Sequence, residues 1–345
     1  MANPNDVTIA DVARVASVSR STVSRILNGK PDVSPETRQR VQRVIAEMGF
    51  RPHALAKRLA TGKSHTIALL HPFERPSPRS IRRISLLQEF IIGAAIAAEE
   101  QGYFLNIVTS PVTPDHLLDL YRGVQVDGVV LMEIFLHDWR VEALCKSGHP
   151  FVMIGRRADN DGLSYVDVDF DSAIRAICDH LIDLGHRQIG FLGFPDSLRQ
   201  AGYGPAYRTH ASYVQAMNRH GLPPIYREVN FNVDDGSEAT LALLDEYPSL
   251  TAIIPGGVLP GVVINALRQR GYRVPEDFSV AGLTGDSFAE TVTPPLTAVN
   301  FPSFEMGYQA TSILIKKLEQ TPVSANQVLL SPPLTVREST GPARR

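Results

Sequence analysis

Two different hydrophobic patterns divide the chain near residue 65. In residues 1–65, apolar residues recur every three or four positions over short runs, which is the period of an amphipathic α-helix. From residue 66 onward, short continuous apolar runs alternate with longer stretches of helical period. Such an alternation is typical of strands and helices that follow one another in a parallel sheet. The pattern therefore predicts a small helical domain followed by a larger α/β domain.

Three short helices are predicted in the first part of the chain. The first follows Thr8, and an acid three residues later completes a capping pattern. The second follows Ser19 and ends near Gly29, and the third begins after Ser34 with a proline at its first position. A tight turn between the first two helices fits a helix-turn-helix unit. The pattern alone leaves open an ordinary helical bundle whose second helix exposes a polar face.

The exposed face of the predicted second helix is rich in hydrogen-bond donors. It carries Arg20, Ser21, Ser24, Arg25 and Asn28, and the hydroxyl of Thr22 lies on the same helix. In a helix-turn-helix unit the second helix enters the major groove of DNA. Arginine can donate two hydrogen bonds to a guanine edge, and hydroxyls can reach bases or phosphates. The residue types on this face therefore favour DNA binding.

The second part of the chain is long enough for two lobes of alternating strands and helices. The predicted strands are Ile67–Leu70, Phe104–Thr109, Gly128–Met132, Phe151–Ile154, Ile189–Leu192, Ala252–Ile254 and Ser279–Leu283. The predicted helices are Phe90–Gln101, Ser172–Leu184 and Gly261–Arg270. In open parallel sheets a ligand binds in the crevice at the carboxyl ends of the strands. We therefore expect a ligand-binding cleft between the lobes.

The charge is distributed unevenly between the two parts. Residues 1–65 carry 11 basic and 5 acidic side chains, a net charge of +6, whereas the remainder carries a net charge of −8. Contacts with phosphates supply most non-specific affinity for DNA, so only the basic first part is expected to meet nucleic acid. The whole chain has a net charge of −2, which conceals this asymmetry.

Composition excludes several other classes of protein. No apolar stretch is long enough to cross a bilayer, and no secretory signal opens the chain. Cys145 and Cys178 are the only cysteines, and they lie far apart without nearby metal-ligand partners. We therefore expect reduced thiols and a cytoplasmic, nucleoid-associated location without membrane contact.

Residues 7–28 resemble the opening of the LacI/GalR (lactose-repressor) family of bacterial transcription regulators, and their sequence is VTIADVARVASVSRSTVSRILN. The resemblance continues through the segments VSPETR (33–38), RPHALAKRL (51–59), VDGVVL (126–131), PFVMIGR (150–156), LGHRQIGF (184–191), VPEDFSV (274–280) and VREST (336–340). Ser17 departs from the family, which usually has glycine in this turn. We expect a small cost, because serine tolerates turns through local hydrogen bonds.

The resemblance implies an N-terminal all-α, lambda-repressor-like helix-turn-helix domain over residues 7–50. A hinge helix and linker would follow over residues 51–65, and an effector-sensing domain over residues 66–340. This last domain would have an α/β, type I periplasmic-binding-protein-like fold, with two parallel-sheet lobes crossed by three strands. The expected lobe boundaries are about 66–165 with 297–325 for the N-lobe, and about 166–296 with 326–340 for the C-lobe.

The resemblance also implies roles in DNA binding, position by position. Arg20 and Ser21 match the pair that reads base edges, and Arg25 matches a recognition-helix arginine that contacts guanine. Phosphate contacts are implied at Thr8, Thr22, Ser24, Asn28 and Thr37. In the hinge the implied DNA-binding positions are His53, Ala56 and Leu59. Leu59 matches a leucine that wedges between base pairs in the minor groove, and His53 replaces the usual asparagine.

The implied effector site lies between the lobes and departs from the family in several places. Its expected residues are Arg156, Asp169, Arg208, Thr209, Phe231, Gly257 and Thr284. Phe231 matches an aromatic residue that stacks on the ligand. Thr209 stands where the family has a ligand-anchoring arginine, and Arg208 precedes it by one residue. Gly257 belongs to a Gly-Gly pair that replaces the family's usual Asn-Asp.

These departures leave the chemistry of the effector open. The segment 74–84 contains Arg75, Arg79, Arg82 and Arg83. Together with the missing aspartate, these cations motivate the hypothesis that the effector is anionic and not a simple neutral sugar. The simpler interpretation, which we prefer, is that the arginines are solvated loop charges. A chain that binds no small molecule is a third alternative.

Two rival functions and two further sites are disfavoured by the sequence. A periplasmic solute receptor would need an export signal, and an α/β enzyme would need a polar catalytic constellation, and neither is found. Residues 61–64 end like a phosphate-binding P-loop, but the required earlier glycine is replaced by Lys57. The alternating acids Asp167, Asp169 and Asp171 match a strand crossover that caps the next helix. We therefore expect no metal and no cofactor.

The expected protein is a homodimer that binds double-stranded DNA at a pseudo-palindromic operator. It would repress a metabolic or transport operon under the control of a small-molecule effector, a sugar or another metabolite. The chain ends just after the matched core without a leucine heptad, so no tetramer built from the tail is expected.

Overall fold

The computed structural model describes residues 7–27, 32–50, 63–71, 84–109, 111–123, 125–230, 233–256, 260–319 and 325–344. The chain divides into two compact units, Met1–Ser64 and His65–Arg345. Among the described residues, no helix is both long enough and apolar enough to span a membrane.

Three helices form the first unit, and their bounds confirm the predicted arrangement. They are α1 (Ile9–Val15), α2 (Arg20–Leu27) and α3 (Pro35–Glu47). Their apolar faces share one core of buried side chains, namely Val12, Ala13, Ala16, Val23, Ile26, Val41, Val44 and Phe50. The predicted caps are present: Thr8 accepts a hydrogen bond from the Asp11 amide, and Ser34 accepts one from the Thr37 amide. Local sequence signals therefore fix both helix starts.

The turn between α1 and α2 requires a left-handed residue. Ser17 has φ +52°, a backbone region that favours glycine. Its amide donates to the carbonyl of Arg14, and the Val18 amide donates to the carbonyl of Ala13. This pair of hydrogen bonds is the Schellman arrangement that closes many helices. Serine therefore occupies, with its side chain exposed, a conformation that glycine adopts without steric cost.

The second unit contains twelve strands and ten helices among the described residues. The strands are β1 (Thr66–Leu70), β2 (Phe104–Val108), β3 (Gly128–Leu131), β4 (Phe151–Ile154), β5 (Tyr165–Val168), β6 (Ile189–Gly193), β7 (Ile225–Glu228), β8 (Ala252–Pro255), β9 (Ser279–Thr284), β10 (Thr297–Asn300), β11 (Gln327–Leu330) and β12 (Leu334–Thr335). The helices are α4 (Ile84–Glu100), α5 (Pro114–Arg122), α6 (Trp139–Ser147), α7 (Phe170–Asp183), α8 (Asp196–Gln200), α9 (Gly204–Arg219), α10 (Val233–Glu246), α11 (Pro260–Gln269), α12 (Asp286–Thr291) and α13 (Ser303–Glu319).

These strands form two six-stranded sheets, one for each lobe. The first sheet has the order β11-β5-β4-β3-β1-β2 and is parallel throughout. The second has the order β12-β10-β9-β8-β6-β7, in which only the β10–β12 pair is antiparallel. All seven strands predicted from apolar runs are present, and each lies in the interior or at a parallel edge of a sheet. The expected class of two parallel-sheet lobes is therefore confirmed.

The lobe boundaries differ from the sequence prediction at all three crossovers. Strand β5 lies wholly in the first sheet, although residues from 166 onward were expected in the C-lobe. Strand β10 pairs with β9 in the second sheet, although residues from 297 were expected in the N-lobe. Strand β11 pairs with β5 in the first sheet, although residues from 326 were expected in the C-lobe. The expected boundaries were wrong because hydrogen-bond partners in a sheet, and not the apolar runs themselves, decide which lobe a strand joins.

Two helices pack closely on the first sheet and hold its lobe together. At Gly93 of α4, a Cβ atom would lie 2.1 Å from the Phe304 carbonyl oxygen of α13. At Gly307 of α13, it would lie 2.2 Å from the Phe90 carbonyl oxygen of α4. Only glycine allows such an approach of two helix backbones. The α4–α13 pair is therefore a closely packed layer on the first sheet.

Candidate DNA-binding surface and effector cleft

The polar face of α2 presents the residues predicted to read DNA. Arg20, Ser21 and Arg25 are exposed, whereas Thr22 and Ser24 are half-buried. Val23 and Ile26 point the other way into the three-helix core. The buried side fixes the orientation of α2, so the polar face is presented on a rigid element.

The hydroxyl of Ser19 organises the start of this face. Its Oγ accepts a hydrogen bond from the Thr22 amide at 3.1 Å. The same atom lies 2.7 Å from Ser21 Oγ and 2.8 Å from Thr22 Oγ1. Ser19 was predicted as a helix cap, but its contact with two of the predicted DNA-binding hydroxyls was not. It orients both of them at the end of α2 that would enter the groove.

Arg25 has an acidic neighbour that the sequence interpretation did not single out. Its Nη1 atom lies 3.5 Å from Asp32 Oδ2, and both side chains are more than half exposed. An ion pair between exposed side chains contributes about 1 kcal/mol or less. The guanidinium can therefore exchange Asp32 for a base edge at small cost.

Two of the predicted phosphate contacts also serve as parts of helix caps. The Thr8 hydroxyl lies 2.6 Å from the Asp11 carboxylate, to which it donates, and Thr37 Oγ1 accepts from Ser34 Oγ at 2.9 Å. The hydrogen bonds from Thr8 lower the pKa of Asp11 to about 2, so this carboxylate is charged at neutral pH. The structure gives Thr8 a capping role, and its contact with phosphate stays a prediction.

Several predicted residues lie outside the described residues. They are Asn28, His53, Ala56 and Leu59 of the DNA-binding set, and Phe231 and Gly257 of the effector set.

The carboxyl ends of the strands bring only some of the predicted effector residues near the expected cleft. Thr284 is the last residue of β9 and is fully buried, and its hydroxyl has no hydrogen-bond partner among the described residues. Asp169 directly follows β5 and accepts the Ser172 amide at 3.1 Å, which caps α7. Burial alone would raise the pKa of Asp169, but hydrogen bonds from Ser172 and Ser331 outweigh it and lower the pKa. The Asp169 carboxylate therefore already serves as the cap of α7 at the point where the chain leaves β5.

Neither residue near the expected arginine position behaves as a free anchor. Thr209 is buried, and its hydroxyl donates to the Pro205 carbonyl of the same helix at 2.8 Å. Arg208 donates to the backbone carbonyls of Arg156 at 2.9 Å and Arg157 at 3.0 Å. These bonds join α9 of the second lobe to the loop after β4 of the first lobe. Arg208 therefore links the lobes through backbone contacts.

A buried carboxylate lies beside the two predicted arginines. Asp167 of β5 is 4% exposed, and its Oδ2 atom is 3.3 Å from Arg156 Nε. Burial raises the pKa of Asp167 to about 6, although the charges of Arg208 and Arg156 act in the opposite direction. The sequence interpretation treated Asp167 only as part of the crossover. An acidic residue within the short apolar run of β5 was the signal in the sequence that could have identified it.

A pocket of about 590 Å³ collects these arginines. It is lined by Leu136, Arg156, Arg157, Ala158, Asn160, Asp161, Tyr165, Tyr207, Arg208 and Gln327. Asp169, Thr209 and Thr284 do not line it. The structure therefore brings Arg156 and Arg208 together in this pocket, while Asp169 lies near enough to Arg156 for its charge to help lower the Asp169 pKa.

Two residues that the sequence interpretation missed lie at the ends of adjacent strands. His71 follows β1 and Glu133 follows β3, and His71 Nε2 is 3.4 Å from Glu133 Oε1. Glu133 has φ +56°, and Arg140 holds its carbonyl at 2.8 Å. Arg140 is itself fixed by a buried bidentate pair with Asp138. The rule that ligands bind at the carboxyl ends of parallel strands would have indicated both residues.

Among the described residues, no group of three or more histidine, cysteine, aspartate or glutamate side chains is placed to hold a metal ion.

Comparison with known families finds two matching models. Residues 8–53 match the model described as bacterial regulatory proteins, lacI family. Residues 178–340 match the model of a periplasmic binding protein-like domain.

Curated proteins and solved structures resemble the chain over nearly its whole length. The HTH-type transcriptional regulator CelR of Thermobifida fusca is 31% identical over 343 residues, which cover 96% of this chain and 98% of CelR. Catabolite control protein A of Priestia megaterium is 32% identical, with 97% and 99% covered. A structure of a CelR–cellobiose complex has a TM-score of 0.70 at 29% identity and covers 96% of this chain and 99% of that one. The lac repressor dimer bound to operator and the anti-inducer ONPF has a TM-score of 0.81 at 23% identity, over 97% and 99%, and this likeness concerns the fold.

Proposed function

The chain belongs to the LacI family of bacterial transcriptional regulators. From this premise we propose that it is a repressor whose binding to its operator is either weakened or strengthened by a small molecule. The proposed targets are metabolic or transport genes. The observation that carries the proposal is the exposed polar face of α2, which rests on a capped and fully packed three-helix core.

The proposed DNA contacts follow from the chemistry of that face. Arg20 and Arg25 supply guanidinium groups for guanine edges, and Ser21 supplies a hydroxyl for base readout. The half-buried hydroxyls of Thr22 and Ser24 are placed at the edge of the face, where they suit phosphate contacts. The hinge residues His53, Ala56 and Leu59 are proposed to bind the minor groove on the strength of the family resemblance alone.

Arg25 offers the most direct test of base readout. Arg25→Ala is expected to cost about 1–3 kcal/mol in operator binding and to relax the sequence preference at one base pair of each half-site. Arg25→Lys keeps the charge but loses bidentate geometry, so it should lose specificity while it retains non-specific affinity. Selection from random duplexes followed by electrophoretic shift at fixed salt measures both quantities. An equal loss on every sequence would show that Arg25 contacts only phosphate.

The proposed cleft ligand is a sugar or another small metabolite. CelR, a relative with the same architecture, has a structure in complex with cellobiose. In this chain the buried hydroxyl of Thr284 and the His71–Glu133 pair supply polar groups at the carboxyl ends of strands from both lobes. Few precisely placed polar groups in a cleft are typical of small-molecule sites. Calorimetric titration with a sugar panel, compared between the natural chain and Glu133→Gln, tests this assignment.

The proposed assembly is a homodimer. Helix α4 and edge strand β2 expose Ile92, Ile96, Phe104 and Ile107, and Phe104 is 70% exposed. Among the described strands, β2 pairs only with β1. An exposed apolar edge of this kind is normally covered, because it would otherwise promote aggregation. A second copy of the chain covers it in the proposed dimer, which then presents two α2 helices to the two halves of a pseudo-palindrome.

A further inference from the structure

The residues that line the pocket at Arg156, Arg157 and Arg208 carry more positive than negative charge. Among its ten lining residues, three are arginines and one, Asp161, is acidic. Glu142 pairs with Arg157 at 3.0 Å, and Asp167 pairs with Arg156, but neither acid lines the pocket. The cations thus face the pocket, while their carboxylate partners lie behind or outside it. Such an arrangement favours an anionic ligand.

The loop that carries two of these arginines is held rigidly. The Arg157 amide donates to Asn160 Oδ1 at 2.9 Å, and Asn160 Nδ2 donates back to the Arg157 carbonyl at 3.0 Å. Gln327 Nε2 donates to the Asn160 carbonyl at 2.7 Å, which ties the loop to strand β11. A binding group that is already fixed loses little conformational entropy when a ligand arrives.

The two arginines of this loop differ in how their Nε atoms are paired. Arg156 Nε faces Asp167 Oδ2 at 3.3 Å, whereas the buried Nε of Arg157 has no hydrogen-bond partner among the described residues. Arg157 is 17% exposed, so its guanidinium is partly removed from water. A desolvated guanidinium binds oxyanions strongly, because its planar donors match the oxygens of a phosphate or carboxylate.

The pocket spans both lobes of the sensing unit. Arg156 and Arg157 follow β4 of the first lobe, whereas Tyr207 and Arg208 lie on α9 of the second. Beside the pocket, the Leu136 amide donates to the Gly202 carbonyl at 2.7 Å, and this bond also joins the lobes. A ligand that contacts all four residues requires this arrangement of the lobes and therefore stabilises it.

We propose that this pocket is a second effector site, separate from the cleft at Thr284, that binds an oxyanion of a small metabolite and thereby favours one arrangement of the lobes. The oxyanion is a phosphate or a carboxylate, since guanidinium groups recognise both. The half-exposed ring of Tyr207 offers an apolar surface for the carbon skeleton. The site goes beyond the proposed function, which concerns DNA and the cleft.

The test uses the full chain and three probes with one carbon skeleton: ribose, ribonate and ribose 5-phosphate. Binding is measured by calorimetry and by the fluorescence of Trp139, the single tryptophan, which lies three residues after Leu136. At least one of the two anions is expected to bind, and neutral ribose is expected to bind at least tenfold more weakly. The stronger anion identifies the ligand class. Absence of binding by both anions, or equal binding of ribose, would overturn the proposal.

Variants locate the binding. Arg157→Gln is expected to weaken the anion at least tenfold. Arg227→Gln is the matched control, since Arg227 also pairs with a glutamate and has a buried Nε without a partner, yet does not line the pocket. Asp161→Asn removes the acidic lining residue and should strengthen anion binding severalfold, a gain that misfolding cannot imitate. Unchanged anion affinity in Arg157→Gln would overturn the proposal.

Thr284→Val separates this site from the cleft. The anion should bind this variant as tightly as it binds the natural chain. If Thr284→Val abolished anion binding while Arg157→Gln kept it, the anion would bind in the cleft, and the second site would be excluded without harm to the proposed function.

Discussion

At the scale of single residues, two buried polar groups of the sensing unit are incompletely paired. The Thr284 hydroxyl lacks a hydrogen-bond partner among the described residues, and Asp167 Oδ2 has an ion pair with Arg156 at 3.3 Å but no hydrogen bond there. A buried polar atom without a partner lowers stability, and its retention in a fold points to a use. Each of the two residues supports a prediction that needs no knowledge of the ligand.

Thr284→Val is expected to raise the free energy of unfolding of the sensing unit by about 1 kcal/mol. The substitution keeps the shape of the side chain and removes a desolvated hydroxyl that forms no hydrogen bond. Denaturant unfolding measures the change. Thr209→Val serves as the control, because its hydroxyl donates to the Pro205 carbonyl and should not give the same gain. A loss of stability in Thr284→Val would show that the hydroxyl is bonded.

Asp167 should give the sensing unit a characteristic dependence on pH. Its pKa is raised by burial to about 6 in the folded chain, against an ordinary value of 3.8. The folded state therefore binds this proton more tightly than the unfolded chain, so the contribution of Asp167 to stability improves as the pH falls from about 6 towards 4. Groups common to both chains cancel when the natural chain is compared with Asp167→Asn. The difference in unfolding free energy between the two should grow in favour of the natural chain over that interval, and a difference that is constant with pH would contradict the assignment.

At the scale of elements, the turn between α1 and α2 departs from its ideal sequence. Ser17 occupies a left-handed conformation that costs a residue with a Cβ atom about 1 kcal/mol. The sequence interpretation expected a small cost because of local hydrogen bonds. The structure shows that the turn is closed by backbone hydrogen bonds at Ser17 and Val18.

Ser17→Gly should therefore stabilise the helix-turn-helix unit by about 1 kcal/mol. Thermal unfolding of the full chain, followed by amide exchange in α1 and α2, reports on this unit. Ser17→Ala keeps the Cβ atom and is expected to give no such gain. Equal stability of the glycine and alanine variants would indicate that the left-handed conformation carries no cost here.

At the scale of the whole molecule, the apolar face of α4 and β2 determines the predicted assembly. Phe104→Lys places a charge at its most exposed position and should weaken the dimer at least tenfold, since a buried unpaired charge opposes association. Sedimentation velocity measures the monomer fraction, and affinity for a palindromic operator should fall with it. Trp139→Lys is a matched control, because Trp139 is also exposed but begins α6, which packs on the other side of the sheet. A dimer that withstands Phe104→Lys would place the interface elsewhere.

Prediction from sequence succeeded where the signals are local. The caps at Thr8 and Ser34 and the apolar periods of the three helices depend on residues within one or two helical turns. The bounds of the helices in the first unit could therefore be predicted nearly to the residue. The seven predicted strands are short apolar runs with their own signature. Strands β5, β7, β10, β11 and β12 were missed, because several of them are half-polar or very short and gain their pairing from strands distant in the chain.

The candidate sites also divide into one that local sequence signals predict and others that only the folded chain brings together. The polar face of α2 follows from helical period alone, because one buried side fixes what the other side exposes. The hydrogen-bond partners of Arg208 could not be predicted from the sequence, because they are the carbonyls of residues 156 and 157, about fifty positions earlier. The pocket of three arginines and the His71–Glu133 pair likewise join residues from separate strands.

The sequence by itself determined the two-part organisation, the polar face of α2 and the alternation of strands and helices in the sensing unit, because these depend on period, capping and apolar runs along the chain. The choice of a helix-turn-helix unit over an ordinary helical bundle came from the resemblance to a family. Only the tertiary structure decided where the lobes cross, which arginines meet in one pocket and which strand ends face each other. The physical reason is that sheet pairing and burial bring distant residues within a few ångströms. Those proximities, and not residue type alone, set the pKa of Asp167, leave the Thr284 hydroxyl without a partner among the described residues and place Arg208 both in the pocket lining and in a bridge between the lobes.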